Sequence, residues 1–347
     1  MYRLLRPLLF RLPPERAHRL TIDVLRLVGD FRPLRTAVQR GLPVPARPVE
    51  AFGLRFANRV GLAAGFDKDG LAWRGLAAFG FGHIELGTVT PRPQSGNPSP
   101  RLFRLPRQGA IINRLGFPSR GGDFLAGRLA GRVPGQQAPV IGVSIGKNAD
   151  TPPERAIGDY LELAWRFAPL ADYLAINVSS PNTAGLRDLG HGNPLRELLG
   201  ALVEQRMLQT EKLGRRVPLL VKVSPDLTDS ELDEALAAML GTGVDGVIAT
   251  NTTVSRPGIT PSIAGEAGGL SGQPLRERST RLVREIHRRA GGKLPIIGVG
   301  GISSRADLEE KLEAGATLVQ LYTGLVYQGP GLVRRLNRNQ NDRAQQL

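Results

Sequence analysis

The stretch AINVSSPNTAG, residues 175–185, ends an apolar run in Asn177, Ser179, Ser180, Asn182 and Thr183, with Pro181 among them. Small hydroxyl and amide groups at the end of a buried strand have two uses. They cap a turn, and a serine before proline is biased toward the extended backbone such a turn needs. Alternatively they face a ligand, and a hydroxyl there can move a proton. The lysines bear on the choice. Of 46 lysines and arginines, lysine stands only at Lys68, Lys147, Lys212, Lys222, Lys293 and Lys311. Where lysine persists against so strong an arginine bias, a site can require a compact ammonium. Lys68 follows one apolar run, Lys222 lies inside another, and Asn113 and Asn251 end two more. Several asparagines, each both donor and acceptor, suit a flat heterocycle with amide or imide edges.

Acids and bases are scarce around these groups. Asp67 and Asp69 flank Lys68 on one loop rather than facing each other, and His83, His191 and His287 show no Ser–His–Asp order. The chain has no cysteine, which excludes disulfides, thiolate catalysis, and iron–sulfur or cysteine–zinc ligation by this chain. No metal-like spacing occurs among its four histidines. A bound cofactor carrying the reactive chemistry accounts for this poverty. A second enzyme class stays open: Lys222 can be read as the Schiff-base lysine of an aldolase-type lyase acting on a phosphorylated sugar.

Strand-like apolar segments position these groups. They are 60–65, 82–89, 140–146, 173–178, 218–224, 246–252, 295–301 and 317–323. Helical stretches at 155–168, 194–213, 229–241, 275–290 and 304–314 fall between most of them, with Thr228 or Asp229 as an N-cap and Glu231 in the first turn. Near-continuous apolar strands alternating with helices predict a parallel (β/α)8 TIM barrel. A doubly wound open sheet is rejected, because GLAAGFDKDG after the first strand does not fit GxGxxG. Polar or glycine positions recur at the strand ends: Lys68, Thr88, Ser144, Asn177, Lys222, Asn251 with Thr252, Gly300 with Gly301, and Tyr322 with Thr323. Gathered at one mouth, they predict a binding site under the long connections 90–139 and 179–217. GVGG after the seventh strand and YTG after the eighth predict a phosphate cradle, which GGLSG (268–272) can join.

The 347 residues carry a formal net charge of +15, unevenly spread. Residues 1–48 hold ten arginines against Glu15, Asp23 and Asp30, interleaved with leucine and valine. No apolar run there approaches the ~20 residues that span a bilayer, and Arg3, Arg6 and Arg11 argue against a signal peptide. The pattern fits amphipathic basic helices on an anionic membrane surface, or equally a helical cap packed on the main domain. Three prolines in GLPVPARPVE (41–50) bound this unit, placed at 1–45. The barrel is expected over 46–335, opening with a short strand at 50–57, and a polar tail over 336–347. Aromatics are only 5%, without basic–aromatic interleaving, so nucleic acid is excluded as a partner.

Together, GLAAGFDKDG, GFGHIELGTVTPRPQSGNPSPRLFRL, INRLGF, INVSSPNT, VKVSPDL, GVIATNTT, GGLSGQPL, IIGVGGI and QLYTGLVY, with PERAH at 14–18, resemble the quinone-dependent (class 2) dihydroorotate dehydrogenases over nearly the whole chain. The resemblance implies an FMN enzyme that oxidises dihydroorotate to orotate in pyrimidine synthesis and passes electrons to a membrane quinone. It implies a peripheral protein on the cytoplasmic face of the inner membrane, without an iron–sulfur partner chain. Ala64, Gly65, Phe66, Asp67 and Lys68, with Thr88, Asn177, Lys222 and Thr250, would contact the flavin, and Gly272, Gly301, Tyr322 and Thr323 its phosphate and ribityl region. Lys68, Asn113, Arg114, Leu115, Gly116, Phe117, Asn177, Asn182, Asn251 and Thr252 would bind the substrate. Ser180 would be the base, with Thr183 helping its proton leave, and His18 and Arg104, beside Tyr322, would serve the quinone. No metal is implied. One departure is Ser144, in GVSIGKN, where the family reads GxNIGKN; it is expected to keep one flavin contact, and Asn148 is not taken as its substitute. The soluble branch of the family uses a cysteine base, which this composition excludes.

Overall fold

The computed structural model describes residues 2–136, 139–183, 185–259 and 261–338. Three helices lead: α1 (Tyr2–Arg11), α2 (Pro14–Asp30) and α3 (Arg32–Gly41). A hairpin follows, β1 (Val49–Ala51) and β2 (Leu54–Phe56), where the sequence predicts one strand. Phe52 and Gly53 both take positive φ, 55° and 74°, and turn the chain in two residues. The hairpin plugs the N-terminal end of the barrel. Phe56 is fully buried with its ring 5.4 Å from His83, and a Cβ at Gly246 would meet the Phe52 ring at 2.3 Å.

The rest of the chain supplies β3 (Val60–Leu62), α4 (Trp73–Ala77), β4 (His83–Val89), β5 (Leu102–Leu105), β6 (Ala110–Asn113), α5 (Gly122–Leu129), β7 (Val140–Ile145), α6 (Ala156–Phe167), β8 (Tyr173–Asn177), α7 (Gly192–Leu213), β9 (Leu219–Val223), α8 (Asp229–Thr242), β10 (Gly246–Ala249), α9 (Pro261–Ala264), β11 (Gly269–Gly272), α10 (Arg276–Arg289), β12 (Ile296–Val299), α11 (Arg305–Glu313), β13 (Leu318–Leu321), α12 (Thr323–Gln328) and α13 (Gly331–Asn337). Eight parallel strands close a barrel in the order β10-β12-β13-β3-β4-β7-β8-β9. This is the predicted (β/α)8 barrel, and each predicted apolar segment contains one barrel strand. Thr228 is the N-cap of α8 in a full capping box with Glu231, because its hydroxyl reaches the first-turn amides while the glutamate reaches back.

Every second residue of each strand points inward. Leu220 and Lys222 do so in β9, Leu318 and Gln320 in β13, and Tyr173, Ala175 and Asn177 in β8. The lower interior is apolar, with Leu220, Ile248, Ile297 and Leu318 packed together. Above it the interior turns polar, and that change of chemistry marks the mouth.

The long connection after β4 folds as β5 and β6. With β11 they form a three-stranded antiparallel sheet over the mouth, so GGLSG is a strand rather than a free loop. The N-terminal helices are not set apart. α2 buries Ala17, Ile22, Leu25 and Val28, and a Cβ at Gly75 of α4 would lie 1.9 Å from the Leu25 carbonyl. Glu15 accepts hydrogen bonds from Ser99 and Arg101 of the mouth insertion at 3.0 and 3.2 Å. At the other end α13 reaches Asn337, two residues past the expected boundary, because Leu336 and Asn337 are buried. Residues 339–347 of the expected tail lie outside the described residues.

Candidate active site

The strand ends open into one cavity of about 980 Å3, including its mouth. Ala64, Gly65, Lys68, Thr88, Asn113, Leu115, Gly116, Phe117, Asn177, Ser180, Asn182, Lys222, Thr250, Asn251, Thr252, Gly272, Gly301, Tyr322 and Thr323 all line it. Residues up to 259 positions apart in the sequence therefore converge, most because they end or follow a barrel strand, and Asn113 to Phe117 and Gly272 because they end or follow β6 and β11 of the sheet over the mouth.

The asparagines hold one another. Asn177 donates to Thr88 Oγ1 at 2.7 Å, and Asn251 donates to Asn177 Oδ1 at 3.3 Å and to Ser179 Oγ at 3.0 Å. Asn182 donates to Asn113 Oδ1 at 3.3 Å. Such a mesh fixes amide edges before a ligand arrives. Ser180 is buried and its Oγ accepts from the Asn182 amide at 3.2 Å. Nearby, Thr183 Oγ1 is buried without a hydrogen-bond partner among the described residues, and a buried hydroxyl in that state is a natural partner for water. Lys68 Nζ donates to the Gly65 carbonyl at 2.7 Å. Withdrawal from water pushes its ammonium down to about 8, against the pull of Asp69.

At the far end lie Gly272, Gly300, Gly301, Thr323 and Gly324. Gly272 and Gly301 take positive φ, 97° and 75°. A Cβ on Gly301 would lie 2.3 Å from Arg276 Cβ, and one on Gly272 would lie 2.2 Å from the Gly109 carbonyl. The glycines thus let three backbone segments meet without side chains between them. An end lined by bare backbone beside the first turn of α10 suits a phosphate. Gln320 also lines the cavity, and its Oε1 has no hydrogen-bond partner among the described residues, so the floor still has acceptor capacity to offer a polar ring. These features fit a flavin mononucleotide: a phosphate end, a cavity of ligand size and a polar floor.

Four expected contacts are not brought there. Ser144 is buried, its hydroxyl 2.9 Å from Thr88 Oγ1, and it stops at that threonine. Asp67 accepts the Leu71 and Ala72 amides, each at 2.8 Å, and so shapes the loop after β3; burial raises its carboxyl to about 6. Arg114 turns away to Glu266 at 2.5 Å and stacks over Phe103. Phe66 lines a different cavity. Asn148 is occupied by Arg92 and Gln94.

That second cavity, about 860 Å3 and largely apolar, lies between α1, α2 and the barrel. His18, Phe66, Arg104 and Tyr322 line it, together with Tyr2, Leu9 and Phe10 of α1. Tyr322 borders both cavities. Its ring meets Phe66 edge-on at 5.8 Å, and Phe66 meets His18 at 5.4 Å. Burial, with the Lys68 charge adding to it, pushes the His18 imidazole down to about 3, so the ring stays neutral. Arg104 donates to the carbonyls of Leu9 and Phe10 at 3.3 and 3.2 Å, and also to that of Leu12. It therefore anchors the end of α1 as well as bordering the cavity.

Sequence reasoning missed Gln320 and the groups beneath it, Glu85 and Tyr173. The available signal was polar residues inside the apolar runs, at the inward parity.

Comparison with known proteins agrees with this geometry. The family model described as dihydroorotate dehydrogenase matches residues 48–343. The chain is 52% identical over 336 residues to the dihydroorotate dehydrogenase (quinone) of Azotobacter vinelandii, covering 96% of this chain and 95% of that one. It is 51% identical over 337 residues to the enzyme of that name from Pseudomonas fluorescens, covering 96% and 97%. The solved structure of DHODH in complex with ferulenol from Eimeria tenella superposes with a TM-score of 0.82 at 38% identity, covering 94% of this chain and 92% of that one.

Proposed function

The chain belongs to the dihydroorotate dehydrogenase family, and from that premise we propose how its residues carry the reaction. It is a flavin-dependent oxidoreductase that oxidises dihydroorotate to orotate in pyrimidine biosynthesis, with a quinone as acceptor. The flavin we assign is FMN, its phosphate held by Gly272, Gly301 and Thr323. Bound there, it supplies two-electron acceptance from the substrate and delivery to the quinone.

The chain's own groups do the rest. Lys68 anchors the substrate carboxylate and opposes charge that develops on the pyrimidine. Asn113, Asn177, Asn182, Asn251 and Thr252 hold the ring's amide edges. Ser180 takes the proton from the carbon beside the carboxamide carbonyl and passes it toward Thr183 and a water. The observation that carries this reading is the convergence of Lys68, Ser180 and the asparagines on one cavity that the glycine cradle also lines. Anaerobic mixing with dihydroorotate tests it: the flavin absorbance bleaches at once. A colourless protein inert to dihydroorotate, or one trapped by borohydride with a sugar phosphate through Lys222, would return the lyase.

Lys68 also sets a pH limit. Its ammonium predominates below about 8 and is lost above it. Affinity for orotate, followed by flavin absorbance, is therefore full at pH 7 and weakens by about tenfold per unit well above pH 8. A flat profile to pH 10 would remove Lys68 from the carboxylate.

We assign the second cavity to the quinone, and residues 1–45 to quinone access at an anionic membrane surface on the cytoplasmic side. Leu4, Leu5, Leu8, Val24 and Leu27 are each at least half exposed, which supports an apolar docking face flanked by arginines. No helix among the described residues is long and apolar enough to cross a membrane.

A further inference from the structure

The floor of the active cavity hides groups that the reaction above does not use. Glu85, inside β4, is fully buried. Its Oε1 lies 3.5 Å from Lys222 Nζ. Its Oε2 accepts from Gln320 Nε2 at 2.9 Å and from the Tyr173 hydroxyl at 3.1 Å. Four strands contribute one residue each. Gly142 makes the meeting possible: it pairs with Glu85 on one side and Tyr173 on the other, and a Cβ there would lie 2.1 Å from the Tyr173 ring. The missing side chain is the gap through which the phenol crosses to the carboxylate.

Apolar side chains ordinarily fill this layer of a barrel, and they do so just below, at Leu220, Ile248, Ile297 and Leu318. Replacing them by an ion pair withdrawn from water is unfavourable unless each charge is held. The arrangement is also directional. Lys222 and Gln320 line the cavity, whereas Glu85 and Tyr173 do not. The positive end of the pair therefore faces the ligand and the negative end faces the barrel's interior.

We propose that Glu85 is a positioning residue that holds the Lys222 ammonium at the cavity floor, with Tyr173 and Gln320 holding the carboxylate in turn, so that the floor favours the reduced, more negative form of the flavin. This rests on the reading that a flavin fills the cavity. Without Glu85 no carboxylate among the described residues pairs with the ammonium on this floor. The ammonium then turns away from the floor, which removes positive charge from beneath the flavin.

The test is the midpoint potential of the bound flavin, measured by dye equilibration, in the wild type, Glu85→Gln and Tyr173→Phe. Flavin content of the wild type is measured first. In Glu85→Gln the potential falls, so that the reduced-to-oxidised ratio at a fixed dye potential drops about tenfold, close to 30 mV for a two-electron couple. Tyr173→Phe removes one donor and leaves the ion pair, so it shifts the ratio the same way by about two- to threefold. If Glu85→Gln fails to retain flavin, Tyr173→Phe decides the matter alone. A colourless wild type would sink the flavin reading itself. A yellow wild type whose potential is matched or exceeded by the variants would overturn the role of Glu85 and leave that reading intact. A purely structural role would lower thermal stability without moving the potential.

Discussion

Replacing Ser180 by alanine will slow reduction of the flavin by dihydroorotate about 10²- to 10⁴-fold, the range general-base groups contribute, while orotate affinity stays within about threefold. The asymmetry follows from where the hydroxyl sits. Ser180 is buried at the cavity wall, and its one described hydrogen bond is from the Asn182 amide. The amide edges that would hold the pyrimidine belong to other residues, which brace one another through the Asn177–Asn251 and Asn113–Asn182 contacts. Removing one oxygen leaves that mesh standing. No carboxylate or imidazole among the described residues hydrogen-bonds to Ser180, so a weak base works without an activating partner. The wild-type rate of flavin reduction should therefore rise with pH, and the variant should lose most of that rise. Single-turnover reduction at several pH values measures both. An unchanged rate constant in Ser180→Ala would remove the serine from the chemistry.

The barrel was legible because its strands are apolar on both faces, so runs such as YLAINV and PLLVKV stand out against the helices between them. Helix starts were legible where a hydroxyl and an acid stand three apart, as at Thr228 and Glu231. The hairpin was not, because the alternation Phe52, Leu54, Phe56 is also what a straight strand shows; only the backbone reveals Phe52 at positive φ. Within the site, strand-end position found Ser180, Lys68 and the asparagines. It could not find direction. Arg114 lies between two cavity residues yet leaves for Glu266. Ser144 has the inward parity yet ends on Thr88. The Glu85–Lys222 pair was hidden because its partners are far apart in sequence, and the Tyr173 contact to it because only Gly142 leaves room for the ring.

Deleting residues 2–12 will separate the two halves of the reaction. α1 buries none of its residues, whereas α2 buries four apolar ones against the barrel. Removing α1 therefore leaves the core closed, which deletion through residue 45 would not. The helix nevertheless supplies Tyr2, Leu9 and Phe10 to the second cavity. It is held by few contacts: Tyr2 to the Val326 carbonyl at 2.5 Å, Arg6 to the Tyr327 carbonyl at 3.1 Å, Phe10 edge-on to Tyr327 at 5.5 Å, and Arg104 on its last carbonyls. Losing that wall leaves part of a bound quinone in water; at about 0.8 kcal/mol per buried CH2, two such groups uncovered already cost about tenfold in affinity. The first cavity keeps all of its lining, since none of it comes from α1. Turnover with dihydroorotate and a soluble dye should stay within about twofold of the full chain. Turnover with a long-chain quinone should fall at least about tenfold at subsaturating quinone. Binding to anionic vesicles should weaken as well, because Leu4, Leu5 and Leu8, among the most exposed leucines of the chain, leave with Arg3, Arg6 and Arg11. Equal quinone turnover in both proteins would mean that the apolar cavity works without α1 and that the quinone reaches Tyr322 and Phe66 by another route.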